Sequence, residues 1–281
     1  MKIIFVSIGL FTLSFAVFTS CKTEKKMNAS NEITYDSISV ARIYHLDNDS
    51  TKPSCSLKIK YIFPVKYADS NVLASVQQGL NFTLTEDEKY EGLKPQDAVD
   101  KYVEDYIEKY KNDAKEQFPD WEESGDTEDY FSYYKTLDTK VVFDMNGILS
   151  YQISSMDYKG GANSSTAYRN IVIDLKTGAI LNEQDIFLPE YRKPLNAVLT
   201  RKIVEQNKVQ KPEDLLELGF WGIEDLTSNE NFSVDNKGLT YIFNPGEYSA
   251  PSLGEISIFL PYDEIGELLK DNSPISNFTG K

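Results

Sequence analysis

Apolar and polar residues alternate over residues 33–46 and again over 55–63, where Cys55, Leu57, Ile59, Tyr61 and Phe63 fall on one face and Ser56, Lys58, Lys60 and Ile62 on the other. A period of two predicts strands, and the turn-forming stretch 48–53 between them predicts that the two pair. Residues 73–84 carry two patterns at once: Val72, Val76 and Leu80 suit a helix, whereas 82–85 suits a strand. The strongest period lies over residues 95–118. There Val99, Tyr102, Val103, Tyr106, Ile107, Tyr110, Ala114 and Phe118 recur at three-and-four spacing with acids between them, which predicts one amphipathic helix. Pro95 suits its first turn, Asp97 and Asp100 its positive end, and Pro119 stops it. The tyrosines share the apolar face, so core packing with hydroxyls at the rim is expected of them rather than a sugar-stacking surface.

After an acidic loop at 120–129, strands are predicted at 131–143 and 148–158, joined by Asn146 and Gly147, the dipeptide of a type I′ hairpin turn. Residues 174–178 and 235–238 predict two further turns. None of the three has the alternating oxygen ligands ending in Glu that a calcium loop requires. Helices are expected at 194–204 and 212–218, a last strand at 255–260 and a closing helix at 261–269. The sum is an α+β fold of antiparallel sheets with inserted amphipathic helices and no alternating βαβ pattern.

Residues 151–163 and 170–178 form the expected joint between two β-rich halves. Gly160 and Gly161 interrupt a stretch rich in β-branched and aromatic residues. Paired glycines there predict a turn or bulge with positive φ, or a loop that contacts a ligand. The expected division is a signal peptide at 1–21, a polar tether at 22–31, an N-terminal module at 32–160 and a C-terminal module at 161–281.

The N-terminus supplies an address. Lys2, an apolar run over residues 3–18 and then Thr19, Ser20 and Cys21 predict a secretory signal rather than a membrane span. Its end resembles a bacterial lipobox, in which Cys21 would receive the lipid, although Phe18 replaces the usual aliphatic residue. Cys55 is then the only other thiol, so no disulfide within the chain is available, and its place in an apolar alternation predicts a small buried residue.

Charge and missing motifs narrow the chemistry. A formal charge of −15 argues against a nucleic-acid phosphate surface and would steer in a basic partner. With His45 as the single histidine a Ser-His-Asp triad is conceivable but lacks a Gly-x-Ser-x-Gly elbow, and the count of His and Cys argues against a His/Cys metal site. Neither a phosphate loop nor a dinucleotide fingerprint occurs, so no cofactor is expected. Carboxylates are abundant, and whether two of them form a glycosidase-like pair depends on a separation in space.

Several short pieces in order carry a family resemblance: the run from Tyr158 through Gly160 and Gly161 to Ala162; Asn170, Asp174, Thr177 and Gly178; residues 183–187; residues 238–243; Tyr248 to Gly254; and residues 258–262. Over residues 33–270 the chain resembles the extracellular region of the anti-sigma factor RsiV and the N-terminal part of the peptidoglycan deacetylase PdaC. That resemblance implies two adjoining modules of bacterial envelope proteins, the region that binds lysozyme in RsiV and accompanies the catalytic domain in PdaC. Asn163 stands where such relatives commonly carry His, and the chain has neither an anti-sigma segment nor a deacetylase domain. The expectation is a non-enzymatic, membrane-anchored envelope lipoprotein that binds a lysozyme-like basic protein or a peptidoglycan glycan. Tyr158, Gly160, Gly161, Asn163 and Tyr248 are the candidate binding residues. The alternative is an enzyme acting on cell-wall polysaccharide through a carboxylate pair near the Gly160–Gly161 loop, and a third reading is a purely structural envelope protein.

Overall fold

The computed structural model describes residues 29–117, 131–160 and 163–279. Cys21, most of the tether, the acidic loop at 120–129 and Gly161 lie outside the described residues. The alternating N-terminal stretches form strands β1 (Thr34–His45) and β2 (Ser54–Lys66), paired antiparallel with Ser39 opposite Lys60. Helix α1 (Ser70–Thr85) follows, then helix α2 (Pro95–Gln117) and strand β3 (Tyr133–Met145). β3 lies parallel to β2, Cys55 opposite Tyr133. The two helices are therefore a crossover, which a parallel neighbour requires, and this pair is an exception to the antiparallel pattern.

The ambiguous stretch at 73–84 is helical throughout. Asp69 caps α1 by accepting from the N–H groups of Asn71 (2.8 Å) and Val72 (3.2 Å). Leu80 and Leu84 prolong the buried stripe, and the β-favouring threonines at its end turn their hydroxyls back onto the helix, Thr83 to the Gly79 carbonyl and Thr85 to that of Asn81.

Strands β4 (Ile148–Lys159), β5 (Ser165–Asp174) and β6 (Ala179–Leu181) complete a six-stranded sheet in the order β1-β2-β3-β4-β5-β6. Asn146 (φ 53°) and Gly147 (φ 83°) turn β3 into β4, as a type I′ turn demands. β4 and β5 pair from Ile148 opposite Asp174 to Asp157 opposite Ser165. A module boundary at 160/161 would cut between these two hydrogen-bonded strands, so the sheet runs on past the expected division, as far as Leu181.

A second, three-stranded antiparallel sheet follows: β7 (Phe232–Val234), β8 (Gly238–Phe243) and β9 (Ile256–Pro261). Before it come a single turn, α3 (Glu183–Ile186), and helix α4 (Arg192–Gln206), whose Leu195, Leu199 and Ile203 are fully buried. Gly238 is required by space, not by φ: a Cβ there would stand 2.2 Å from the Leu260 carbonyl oxygen. The expected closing helix at 261–269 breaks into one α turn, Tyr262–Ile265, and one 3-10 turn, Gly266–Leu268. The backbone there is drawn elsewhere, since Leu188 N–H donates to Leu268 and Lys270 N–H to Ile186.

The molecule thus has three layers. α1 and α2 cover one face of the six-stranded sheet, and the second sheet with α4 covers part of the other. β4 and β5 lie in the middle: Leu149, Tyr151, Ile153, Ile171 and Ile173 belong to the core beneath the helices, and Ile148 and Val172 to the core of the second sheet. Burial on both faces accounts for the consecutive apolar residues Ile148–Leu149 in β4 and Ile171–Ile173 in β5. Cys55 is 1 % exposed and packed with Tyr110 and Tyr133, and burial pushes its thiol up to about 11.

Candidate functional site

Among the described residues, the second sheet meets β4 and β5 near Ile148 and Val172, and past Ser150 the side chains of β4 on that outer face are half-buried. Alternation turns Tyr133, Lys135 and Leu137 of β3 toward the helices and Tyr134, Thr136, Asp138 and Lys140 outward, up to the bulge between Val141 and Phe143. Across the strands Tyr134 stands opposite Tyr158, Thr136 opposite Met156, and Ser154 opposite Tyr168. On the β2 side Lys58 stands beside Thr136 and Lys60 beside Asp138. Lys58 Nζ lies 5.8 Å from the centre of the Tyr134 ring. Tyr134, Met156, Tyr158 and Tyr168 are half-buried, whereas Lys58, Lys60 and Lys140 are exposed. None of these three lysines has a carboxylate partner among the described residues, although acids outnumber bases 44 to 29 in the chain.

At its β5 side this face meets a cleft. β6 covers β5 only from Val172 to Asp174, so the edge groups of Tyr168 and Asn170 need other partners. Asparagines arriving from the second module provide them. Asn231 Oδ1 accepts from Asn170 N–H (2.7 Å) and Asn170 Nδ2 (3.0 Å), while its Nδ2 donates to the carbonyls of Tyr168 (2.9 Å) and Ile242 (3.0 Å). Asn244 Oδ1 accepts from Tyr168 N–H at 2.7 Å. These side chains, with Arg169, Glu230 and Glu247, line a cleft of about 400 Å³. Tyr168, Arg169 and Asn244 also border a smaller one of about 130 Å³ beneath α1 and α2.

Behind the cleft lies a buried carboxylate. Glu183 is fully buried and accepts from the Tyr241 hydroxyl (3.0 Å) and the Ser228 hydroxyl (3.0 Å). Its own N–H donates to Glu230 Oε2 at 2.7 Å. Glu230 adopts a left-handed backbone (φ 58°), unusual for a residue with a side chain. Burial raises its carboxyl above the ordinary 4.5, against the pull of the Glu183 N–H. With both its oxygens engaged and no exposed surface, Glu183 holds the wall rather than meeting solvent. The two carboxylates that border the cleft are Glu230 and Glu247, the latter accepting from Asn229 Nδ2 (3.1 Å) and Asn244 N–H (2.8 Å).

The residues singled out in the sequence fall in two places. Tyr158 lies on the outer sheet face, Gly160 follows β4 with φ +83°, and Asn163 is exposed just before β5. Tyr248 sits in the second module, where its ring packs edge-on against Phe243, its hydroxyl accepts from Thr227 N–H (3.2 Å) and its carbonyl from Trp221 N–H (3.0 Å). Asp157, the acid just before Gly160 in the sequence, faces the helices and pairs with Lys135 (3.3 Å) and Lys159 (3.5 Å). Asn231, Asn244, Tyr134 and Tyr168 were not singled out, because their importance lies in what the other module brings next to them. His45 Nδ1 lies 3.1 Å from the Lys52 carbonyl oxygen, a structural contact beside its turn. Among the described residues no group of three His, Cys, Asp or Glu side chains could hold a metal, and no helix is long and apolar enough to cross a membrane.

Fold and site together define a two-module α+β protein whose modules share a layered core and a polar junction. Residues 50–166 match the family model described as deacetylase PdaC, and residues 184–263 match the one described as a protein of unknown function, DUF3298. These matches support a two-module PdaC/DUF3298 family for the chain. A crystal structure of a DUF3298 family member from Bacteroides fragilis is similar at 28 % identity, covering 90 % of this chain and 100 % of that one with a TM-score of 0.83. A DUF3298 family protein from Pseudomonas aeruginosa shares the fold at 14 % identity, covering 86 % and 97 % with a TM-score of 0.62. No curated protein matches the chain. The first family match ends inside β5 and the second begins beyond β6, so the shared strand β5 lies at the seam between the two.

Proposed function

We propose that this chain is a membrane-anchored lipoprotein of the bacterial envelope that binds cell-wall glycan without chemically altering it. The observation that carries this reading is the pair of Tyr134 and Tyr158 on the outer face of the sheet, with Tyr168 of β5 opposite Ser154, four residues along β4 from Tyr158, at the border of an amide-lined cleft. Aromatic rings offer flat apolar surface to the C–H faces of sugars. The asparagine side chains of the cleft are held by bonds within the protein and give it a fixed polar wall beside those rings. Lys58, Lys60 and Lys140 add positive charge suited to the carboxylates of wall peptides. The anchor is the lipid on Cys21, and residues 22–31 are the tether.

The deciding experiment is co-sedimentation with purified insoluble peptidoglycan, comparing the natural chain with Tyr134→Ala/Tyr158→Ala. Retention of the natural chain and loss of the variant is the expected result; equal recovery of both in the supernatant overturns the reading. The charge of −15 supports a second reading, recruitment of a basic lysozyme-like protein at the Gly160–Asn163 and Tyr248 segments. That reading requires fast association at low salt which slows as salt screens it, and loss of binding in Asn163→Ala or Tyr248→Ala.

A further inference from the structure

The outermost strand of the six-stranded sheet, β1, is 12 residues long and, among the described residues, pairs on one side only, with β2. Open edges of this kind expose a row of unpaired N–H and C=O groups, and proteins usually blunt them with lysine, proline or a central bulge. β1 has neither lysine nor proline, and its single irregularity lies at its very start, between Thr34 and Tyr35. It also carries Ile43 at 66 % exposure. Its two charges are Asp36 and Arg42, both exposed. Neither forms an ion pair among the described residues: Asp36 accepts from Ser37 N–H, and Arg42 donates to the Ala41 carbonyl.

The spacing of those charges is self-complementary. In an antiparallel pairing of β1 with β1 of another copy centred on Ser39, residue numbers across the pair sum to 78. Asp36 then faces Arg42 of the second copy, and Arg42 faces its Asp36. Ser37 faces Ala41, Ile38 faces Val40, and Tyr35 faces Ile43. Opposite charges directly across a strand pair attract, and like charges there repel. We propose that β1 is a homodimer interface of this register, in which two copies join their sheets edge to edge about a two-fold axis at Ser39. An isologous contact of this kind closes on itself and leaves no further open β1 edge. With the axis perpendicular to the sheet, both outer faces point the same way, and the Lys58–Lys60 rows of the two copies lie on either side of the axis.

Cysteine cross-linking on the full chain in cells tests the register directly. Residues on the axis meet at about 5 Å between Cβ atoms, so Ser39→Cys forms a covalent dimer on mild oxidation or with a short bismaleimide. Ile43→Cys, equally exposed to collision, lies about 27 Å from its counterpart across eight residues of strand, and stays uncross-linked. In the Ser39→Cys background, Asp36→Arg or Arg42→Asp alone sets like charges face to face and lowers the cross-linked fraction about tenfold. Combined, the two reversals restore it, which a folding defect could not do. Cross-linking of Ile43→Cys as efficient as that of Ser39→Cys, single reversals without effect, or failure of the double reversal to rescue overturns the proposal. So does capture of Ser39→Cys by another protein in place of a second copy.

Discussion

The hydroxyl of Ser150, in the middle of the six-stranded sheet, donates to the Val234 carbonyl at 2.6 Å and accepts from the Val234 N–H at 3.0 Å. One buried side chain thus satisfies both main-chain groups of a strand in the other module. Removing the hydroxyl leaves a buried donor and a buried acceptor unpaired at once, each a desolvated group without a partner. Ser150→Ala is therefore expected to lose about 2–4 kcal/mol of unfolding free energy, read from urea denaturation. A loss below about 0.5 kcal/mol would mean that the contact does not join the layers.

Asn231 does for β5 what a neighbouring strand would do. Asn231→Ala deprives Asn170 N–H and the Tyr168 carbonyl of their partners and opens the wall of the cleft. The expectation is a loss of about 2–3 kcal/mol in stability, together with weaker retention on peptidoglycan. Differential scanning calorimetry and co-sedimentation on the same preparation separate the two effects.

Gly160 adopts φ +83°, a region L side chains rarely enter. Gly160→Ala is expected to destabilise by about 1 kcal/mol or more. An unchanged thermal midpoint would show that the turn relaxes freely.

The Cys55 thiol has an alkaline consequence. Burial raises it from 9.0 to about 11 in the folded chain, so between those values the unfolded chain gives up a proton that the folded chain keeps. Where the folded state binds more protons, stability falls as pH rises. The thiol's contribution is present in full below pH 9.0 and is lost as pH climbs through about 11. Cys55→Ala should decline less steeply than the natural chain across that window in denaturation midpoints, and Cys55 should resist thiol reagents at neutral pH until the protein unfolds. Identical alkaline slopes would exclude this linkage.

The anchor is tested by Cys21→Ser, which should move the protein from the membrane fraction to the soluble fraction once the signal is cleaved. Persistent membrane association after cleavage would place the anchor elsewhere.

Much of the local structure is legible in the residues. The period of two at Cys55–Leu57–Ile59 and the three-and-four spacing from Val99 to Ala114 each record one face of a regular element. Asn146–Gly147 also specifies its turn, since two successive positive φ values suit few other dipeptides. Within β5 the consecutive apolar residues Ile171–Ile173 also show in the sequence that both faces of the strand are covered. The proposed address rests on Cys21 and its apolar leader in the sequence, which lie outside the described residues.

Tertiary structure decided what lies beside what. That β3 runs parallel to β2, that the sheet continues past residue 160, and that residues 82–85 finish a helix all depend on long-range partners, which outweigh local preference. The site follows the same logic. Tyr134 and Tyr158 become a pair only through strand register, and Asn231 reaches Asn170 across 61 residues of sequence. Short-range spacing encodes the face a residue occupies, whereas the neighbour on that face is set by packing of the whole chain.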